Sequence, residues 1–153
     1  MFSYLSSDRK SIEEKMDVNF TSFNKAIGYN CSNREKPFYL LEQIIVIVTY
    51  ANNKRKYFKL DDRNFTSDGC TLWKIFWLIL GCPHKPEYLP ASIIHDWILE
   101  HPEIVNHNRK FSSRIFRAVL LKTGVNPIKA QIMYLAVEFW QWLTNLWRKK
   151  WKN

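Results

Sequence analysis

The run FYLLEQIIVIVTYANNKRKYFKL, residues 38–60, decides the fold class. Its first half is dense in β-branched and aromatic side chains, with Ile44, Ile45, Val46, Ile47 and Val48 in unbroken succession. That composition predicts a strand over residues 38–50. Ala51-Asn52-Asn53-Lys54 carries turn chemistry, and residues 56–60 alternate well enough to return as a second strand, so the run reads as a β-hairpin. Beyond Asp68-Gly69 the period changes. Residues 72–80 predict a short, very apolar helix stopped by Gly81 and Pro83. Pro90 suits the first turn of a helix that runs to about Glu100, where His101-Pro102 ends it. A third helix is expected from about Lys110 to Lys122, stopping at Gly124. The last starts with Asn126 as N-cap and Pro127 at its first position and continues close to the C-terminus. Upstream, Ser11 and Glu14 have capping-box spacing for a short helix that Ile12, Lys15 and Met16 continue weakly. Residues 20–36 read as irregular or as short strands.

Strands first and helices after give an α+β class: an N-terminal β-hairpin or small antiparallel sheet packed on a C-terminal cluster of about four helices. At 153 residues the chain fits a single domain, 1–153, with a real core. Hydrophobic residues make up 46% and there are only four glycines, which excludes a disordered chain. Three cysteines, Cys31, Cys70 and Cys82, form no CxxC and no ligand-like spacing, so reduced thiols are expected and a structural zinc site is not. The first ten residues lack a basic stretch followed by a long apolar one, so no signal peptide is expected. The longest apolar runs fall far short of a membrane span.

Charge is unevenly placed. Residues 1–105 hold 13 Lys/Arg and 13 Asp/Glu, whereas residues 106–153 hold 10 Lys/Arg against Glu138 alone and so carry the whole formal +9. That C-terminal third is either a solvated basic face or a surface for something anionic.

His95-Asp96 places two ionisable neighbours inside an otherwise apolar helical stretch. Adjacent helical residues project about 100° apart, so at least one of them must point inward or into a cleft, where it needs a partner. The candidate partner lies in Thr66-Ser67-Asp68-Gly69-Cys70-Thr71. Two arrangements suit these residues. In one, Thr71 supplies a hydroxyl nucleophile, His95 a base, and Asp96 or Asp68 orients the imidazole. In the other, Asp68 and Thr71 cap the following helix and His95 bonds Asp68 as a satisfied buried pair. No cofactor is called for, and a divalent metal at Asp68, His95 and Asp96 stays open. His-Asp adjacency also resembles the HD-type phosphohydrolases. Their metal site needs an earlier His and a later Asp, and no Asp follows Asp96.

Residues 65–77 resemble the TDGASIPRxxW segment of an uncharacterised domain family of tailed phages and prophages. Ala91 to Leu99 resembles that family's A-x-x-x-HD-x-L-Y segment. Gly124-Val125 followed by Ala130, Tyr134, Ala136 and Val137 resembles its closing pattern. The resemblance covers about residues 37–142, leaving residues 1–36 as an N-terminal extension and 143–153 as a basic, Trp-rich helix end. It implies a phage or prophage origin and imports no mechanism. Thr71 stands where that family has Ser, Trp73 where it has Pro, Leu99 where it has Tyr, and Ser113 where it has Asp.

Along the last helix Ile132, Leu135, Ala136, Phe139, Leu143 and Leu146 are spaced as a core stripe. Trp140 is expected to cover the sheet. Trp147 and Trp151, interleaved with Arg148, Lys149, Lys150 and Lys152, are expected to form a partner surface. The sequence therefore points to a phage-encoded, virion-associated or assembly protein in the phage particle or host cytoplasm, whose partners are other phage proteins. A small phage hydrolase using His95 with Asp68 and Asp96 is the alternative, and a nucleic-acid-binding accessory protein is the second.

Overall fold

The computed structural model describes residues 16–21, 26–33, 35–67, 86–106 and 108–151, with 144–151 by backbone alone. Six strands come first: β1 (Met16–Phe20), β2 (Ile27–Tyr29), β3 (Phe38–Leu40), β4 (Ile44–Tyr50), β5 (Arg55–Leu60) and β6 (Thr66–Ser67). Among the described residues three helices follow: α1 (Leu89–Glu100), α2 (Arg109–Lys122) and α3 (Pro127–Trp151), with a 3-10 turn at Pro102–Val105. The class is α+β, as expected. The fourth expected helix, residues 72–80, and the helix expected around Ser11 to Glu14 lie outside the described residues.

The hairpin supplies the centre, β4, and one edge, β5, of the first sheet, ordered β1-β4-β5 and antiparallel throughout. Period-two alternation turns Ile44, Val46 and Val48 inward, where Val18 and Phe58 join them. The turn closes as its residues require: Asn53 takes φ 60° and Tyr50 N–H donates to Lys54 C=O at 2.9 Å.

Two expectations are corrected here. Residues 38–50 are two strands in different sheets, because the Leu41 and Glu42 amides turn aside to donate to Ala26 C=O. The first piece, β3, is the middle strand of a second sheet, β2-β3-β6. Met16 does not continue a helix but opens β1, whose Val18 is buried opposite Val48. Cross-strand burial outweighs the weak local helix signal.

α2 is the middle layer of the helical half. It packs against β1 on one side and against both α1 and α3 on the others, and its Phe111 ring stacks on Tyr50 of β4 at 5.8 Å. α1 is apolar on nearly all sides and correspondingly buried, from Pro90 to Ile98 except Asp96. It ends at Glu100, before His101-Pro102, as the sequence predicts. α2 ends before Gly124, whose φ of 89° lets the chain reverse into α3.

Asn126 caps α3 as expected, its Oδ1 accepting from Ile128 N–H at 2.9 Å. Asn126→Ala should lower stability by about 1 kcal/mol. A urea titration of the two chains measures this; an unchanged midpoint would show that α3 does not need the cap.

Candidate functional site

α1 displays the two ionisable neighbours on different faces, and each finds its partner on a different element. His95 points inward and is 7% exposed. Its Nε2 lies 3.1 Å from Gln141 Nε2 of α3. Gln141 is itself buried, and its Oε1 accepts from Ser113 Oγ of α2 at 3.4 Å. The Ser113 hydroxyl is shared with the Arg109 carbonyl at 3.2 Å. With the amide oxygen facing a hydroxyl, the amide nitrogen faces the imidazole and donates to it. Assigned from this network, His95 carries its proton on Nδ1 and presents Nε2 as an acceptor. Phe116 meets the ring edge-on at 5.4 Å.

Burial in this apolar setting lowers the His95 pKa from the ordinary 6.5 to about 4, so the imidazole is neutral at neutral pH. An Nε2 engaged by Gln141 accepts a substrate proton only after that bond breaks. The geometry therefore satisfies the histidine more than it frees a base.

Asp96, half-buried, accepts from Ser67 Oγ of β6 at 2.6 Å, a short charge-assisted bond. A hydroxyl on a carboxylate has the form of a nucleophile beside a base. Ser67, however, is 1% exposed, which leaves a substrate no access to its oxygen. The bond ties the end of the second sheet to α1.

Of the sequence-predicted site residues, His95 and Asp96 thus sit in two separate polar contacts, Asp96 with Ser67 and His95 with Gln141 and Ser113. Asp68 and Thr71 lie outside the described residues, so the proposed Asp68–His95 pair does too. Among the described residues no three His, Cys, Asp or Glu side chains converge as a metal set. Trp147, Arg148, Lys149, Lys150 and Trp151 fall on the last turns of the α3 backbone, with their side chains outside the description, as is Lys152.

Gln141 was not anticipated. The signal was present: it falls four residues after half-buried Val137 and eleven after buried Ala130, a helical stripe on which an amide needs a partner. Ser67 carries no local signal of a role; β6 turns it inward.

α3 itself departs from expectation. Its buried face runs through Ala130, Met133 and Gln141 against α2, and Leu135 and Phe139, expected in the core, are exposed. Ile128, Leu135, Phe139 and Trp142 stand at 72%, 55%, 51% and 56% exposure and share one narrow arc of the helix. Trp140, expected over the sheet, is 48% exposed, because α2 lies between α3 and the sheet. No described helix is long and apolar enough to cross a membrane.

Residues 43–137 match the family described as protein of unknown function (DUF1353). The chain belongs to this family. The DUF1353 match takes in β4 through α2 and the first turns of α3, and so includes His95, Asp96, Ser67 and Ser113 but not Gln141. An uncharacterized protein of Sinorhizobium fredii (strain NBRC 101917 / NGR234), y4jT, is 37% identical over 70 residues, 46% of this chain. The aligned stretch spans 20% of that relative's length. No solved structure matches the chain significantly.

Two outcomes follow from the His95 environment. Because its folded pKa is depressed, the folded chain binds fewer protons than the unfolded one between about pH 4 and 6.5. This contribution to stability is intact above pH 6.5 and is lost as pH falls through that window, up to about 3 kcal/mol. Urea midpoints across the window should fall more steeply for the native chain than for His95→Gln; parallel slopes would overturn the assignment. At neutral pH His95→Ala should cost about 1–3 kcal/mol by stranding Gln141. A histidine serving catalysis alone would leave stability nearly unchanged on the same titration.

Proposed function

We propose that this protein is a phage-encoded interaction component of a virion or its assembly line, acting in the phage particle or host cytoplasm. In this reading α3 is the docking element and the His95/Asp96 cluster is a structural lock. The observation that carries it is the apolar ridge of Ile128, Leu135, Phe139 and Trp142, four large side chains left in water along one arc of the longest helix. Contiguous exposed apolar surface of this kind is retained where a partner covers it. Phe139 and Trp142 pack on each other at 5.9 Å, which gives the ridge an aromatic end.

The same helix runs on into Arg148, Lys149 and Lys150. An apolar ridge continued by a basic segment fits a protein partner whose groove is rimmed by Asp and Glu. The phage resemblance supports another phage protein as that partner. The hydrolase reading draws less support, since His95 is neutral, engaged and buried.

The test is a paired substitution, Leu135→Glu with Phe139→Glu, on the ridge away from the lock. Size-exclusion light scattering with the products of neighbouring genes should show association lost while the melting curve stays put. Association that survives both changes would overturn the reading. Association with nucleic acid instead, falling steeply with salt, would favour the accessory-protein alternative.

A further inference from the structure

The apolar ridge of α3 follows a stricter rule than exposure alone. Ile128, Ile132, Leu135, Phe139, Trp142 and Leu146 succeed one another in alternating steps of four and three residues. That spacing is the a/d repeat of a coiled coil, whose seam keeps facing one partner helix. The seam lies opposite the face that Ala130, Met133 and Gln141 turn to α2. Ile132, half-buried, sits on its flank, while Ile128, Leu135, Phe139 and Trp142 stand in water. A helix packed on α2 alone needs one apolar face. α3 has two.

A two-fold pairing of copies needs a patch complementary to itself, and a seam of this kind is one. Run antiparallel, with Leu135 opposite Phe139 of a second copy, every position of the repeat meets another. Ile132 then faces Trp142 of the second copy, and Ile128 falls opposite the Leu146 position, so that a bulky residue meets a smaller one at the inner layers. Parallel pairing instead sets Phe139 on Phe139 and Trp142 on Trp142, and gathers Arg148, Lys149 and Lys150 of both copies at one end, like charge on like.

The antiparallel arrangement separates these basic ends and carries each to the other copy's turn between α2 and α3. Glu87 stands there, exposed and without an ion pair among the described residues, its carbonyl accepting from Thr123 Oγ1 at 2.7 Å. The cations outnumber Glu87, so each end of the pair keeps a basic rim for an acidic partner. The four exposed side chains of each copy together withdraw on the order of 1,000 Å² of apolar surface, the size at which an interface becomes specific. We propose that α3 pairs with α3 of a second copy in an antiparallel two-helix seam, Leu135 against Phe139, a pairing that rests on the docking reading of the ridge and names its occupant. One contact opposes it. Glu138 flanks the seam at its midpoint, where the two-fold axis sets it beside Glu138 of the second copy.

Sedimentation velocity of the full chain alone, from about 1 to 100 µM, should show monomer and dimer in exchange. Leu135→Glu should give monomer throughout, with circular dichroism unchanged because Leu135 is exposed. Glu138→Gln should tighten the dimer severalfold by removing the like-charge pair. A dimer unmoved by that change would mark a parallel seam and overturn the proposal. So would a native chain that stays monomeric, or a dimer indifferent to Leu135→Glu. A monomer that binds phosphatidylglycerol vesicles, and loses them with Leu135→Glu, would give the ridge to a membrane surface instead. Pairing and docking fail separately. A monomer whose ridge still holds a neighbouring gene product overturns the pairing alone, whereas a ridge-paired dimer that holds none supports the pairing and overturns the assembly reading.

Discussion

Placing an imidazole and a carboxylate side by side on a helix that is otherwise buried obliges the fold to answer two polar groups in two directions. Asp96 is answered from the sheet side by Ser67 and His95 from the opposite side by Gln141, with Ser113 holding the far end of that amide. β6, α1, α2 and α3 are thereby joined by side-chain bonds as well as by apolar packing. Apolar packing tolerates sliding; a buried amide does not. Shifting α3 by one turn along α2, about 5.4 Å, would bury Gln141 and His95 without each other, while Ser113 would keep the Arg109 carbonyl. The cluster thus specifies the register of the helices more than it adds to their attraction.

Features governed by local chemistry were legible in the sequence. The β-branched run from Ile44 to Val48, the Asn52-Asn53 turn, the Asn126 cap and the stop at His101-Pro102 all depend on residues close in the chain. The break between β3 and β4 was not legible, since Leu41-Glu42-Gln43 contains no Gly or Pro. It is set by the Ala26 carbonyl, fifteen residues upstream of Leu41. β1 was equally hidden. Met16, Val18 and Phe20 alternate as a strand should, yet the strand depends on the edge of β4 and on α2 packed against it, which a local reading does not see.

The site shows the same division. His95-Asp96 stood out because ionisable groups among Ile93, Ile94, Trp97 and Ile98 demand an answer. Who gives that answer is a matter of tertiary geometry, and a glutamine between two tryptophans attracts no notice. α3 was misread for a related reason. It has apolar residues on two faces, and periodicity alone does not say which one meets α2. Small Ala130 and Ala136 mark the buried side, where backbones approach closely, while bulky Leu135, Phe139 and Trp142 mark the outer one.

These placements make α3 a shared part. Its inner face carries Gln141 into the lock, one flank carries Gln131 and Tyr134 to a cleft beside β1 and α2, and its outer face carries the ridge. α2 supplies the opposite side of both inner contacts, with Ser113 at the lock, Arg114 next to it in the chain, and Arg117 and Lys122 about one and two and a half turns further along. Because His95 is neutral, the Gln141–His95 bond is an ordinary amide-to-imidazole contact and not an ion pair, so its hold on α3 rests on burial and not on ionic strength. Salt that screens the surface cations of α2 would leave the register of the helices where it is.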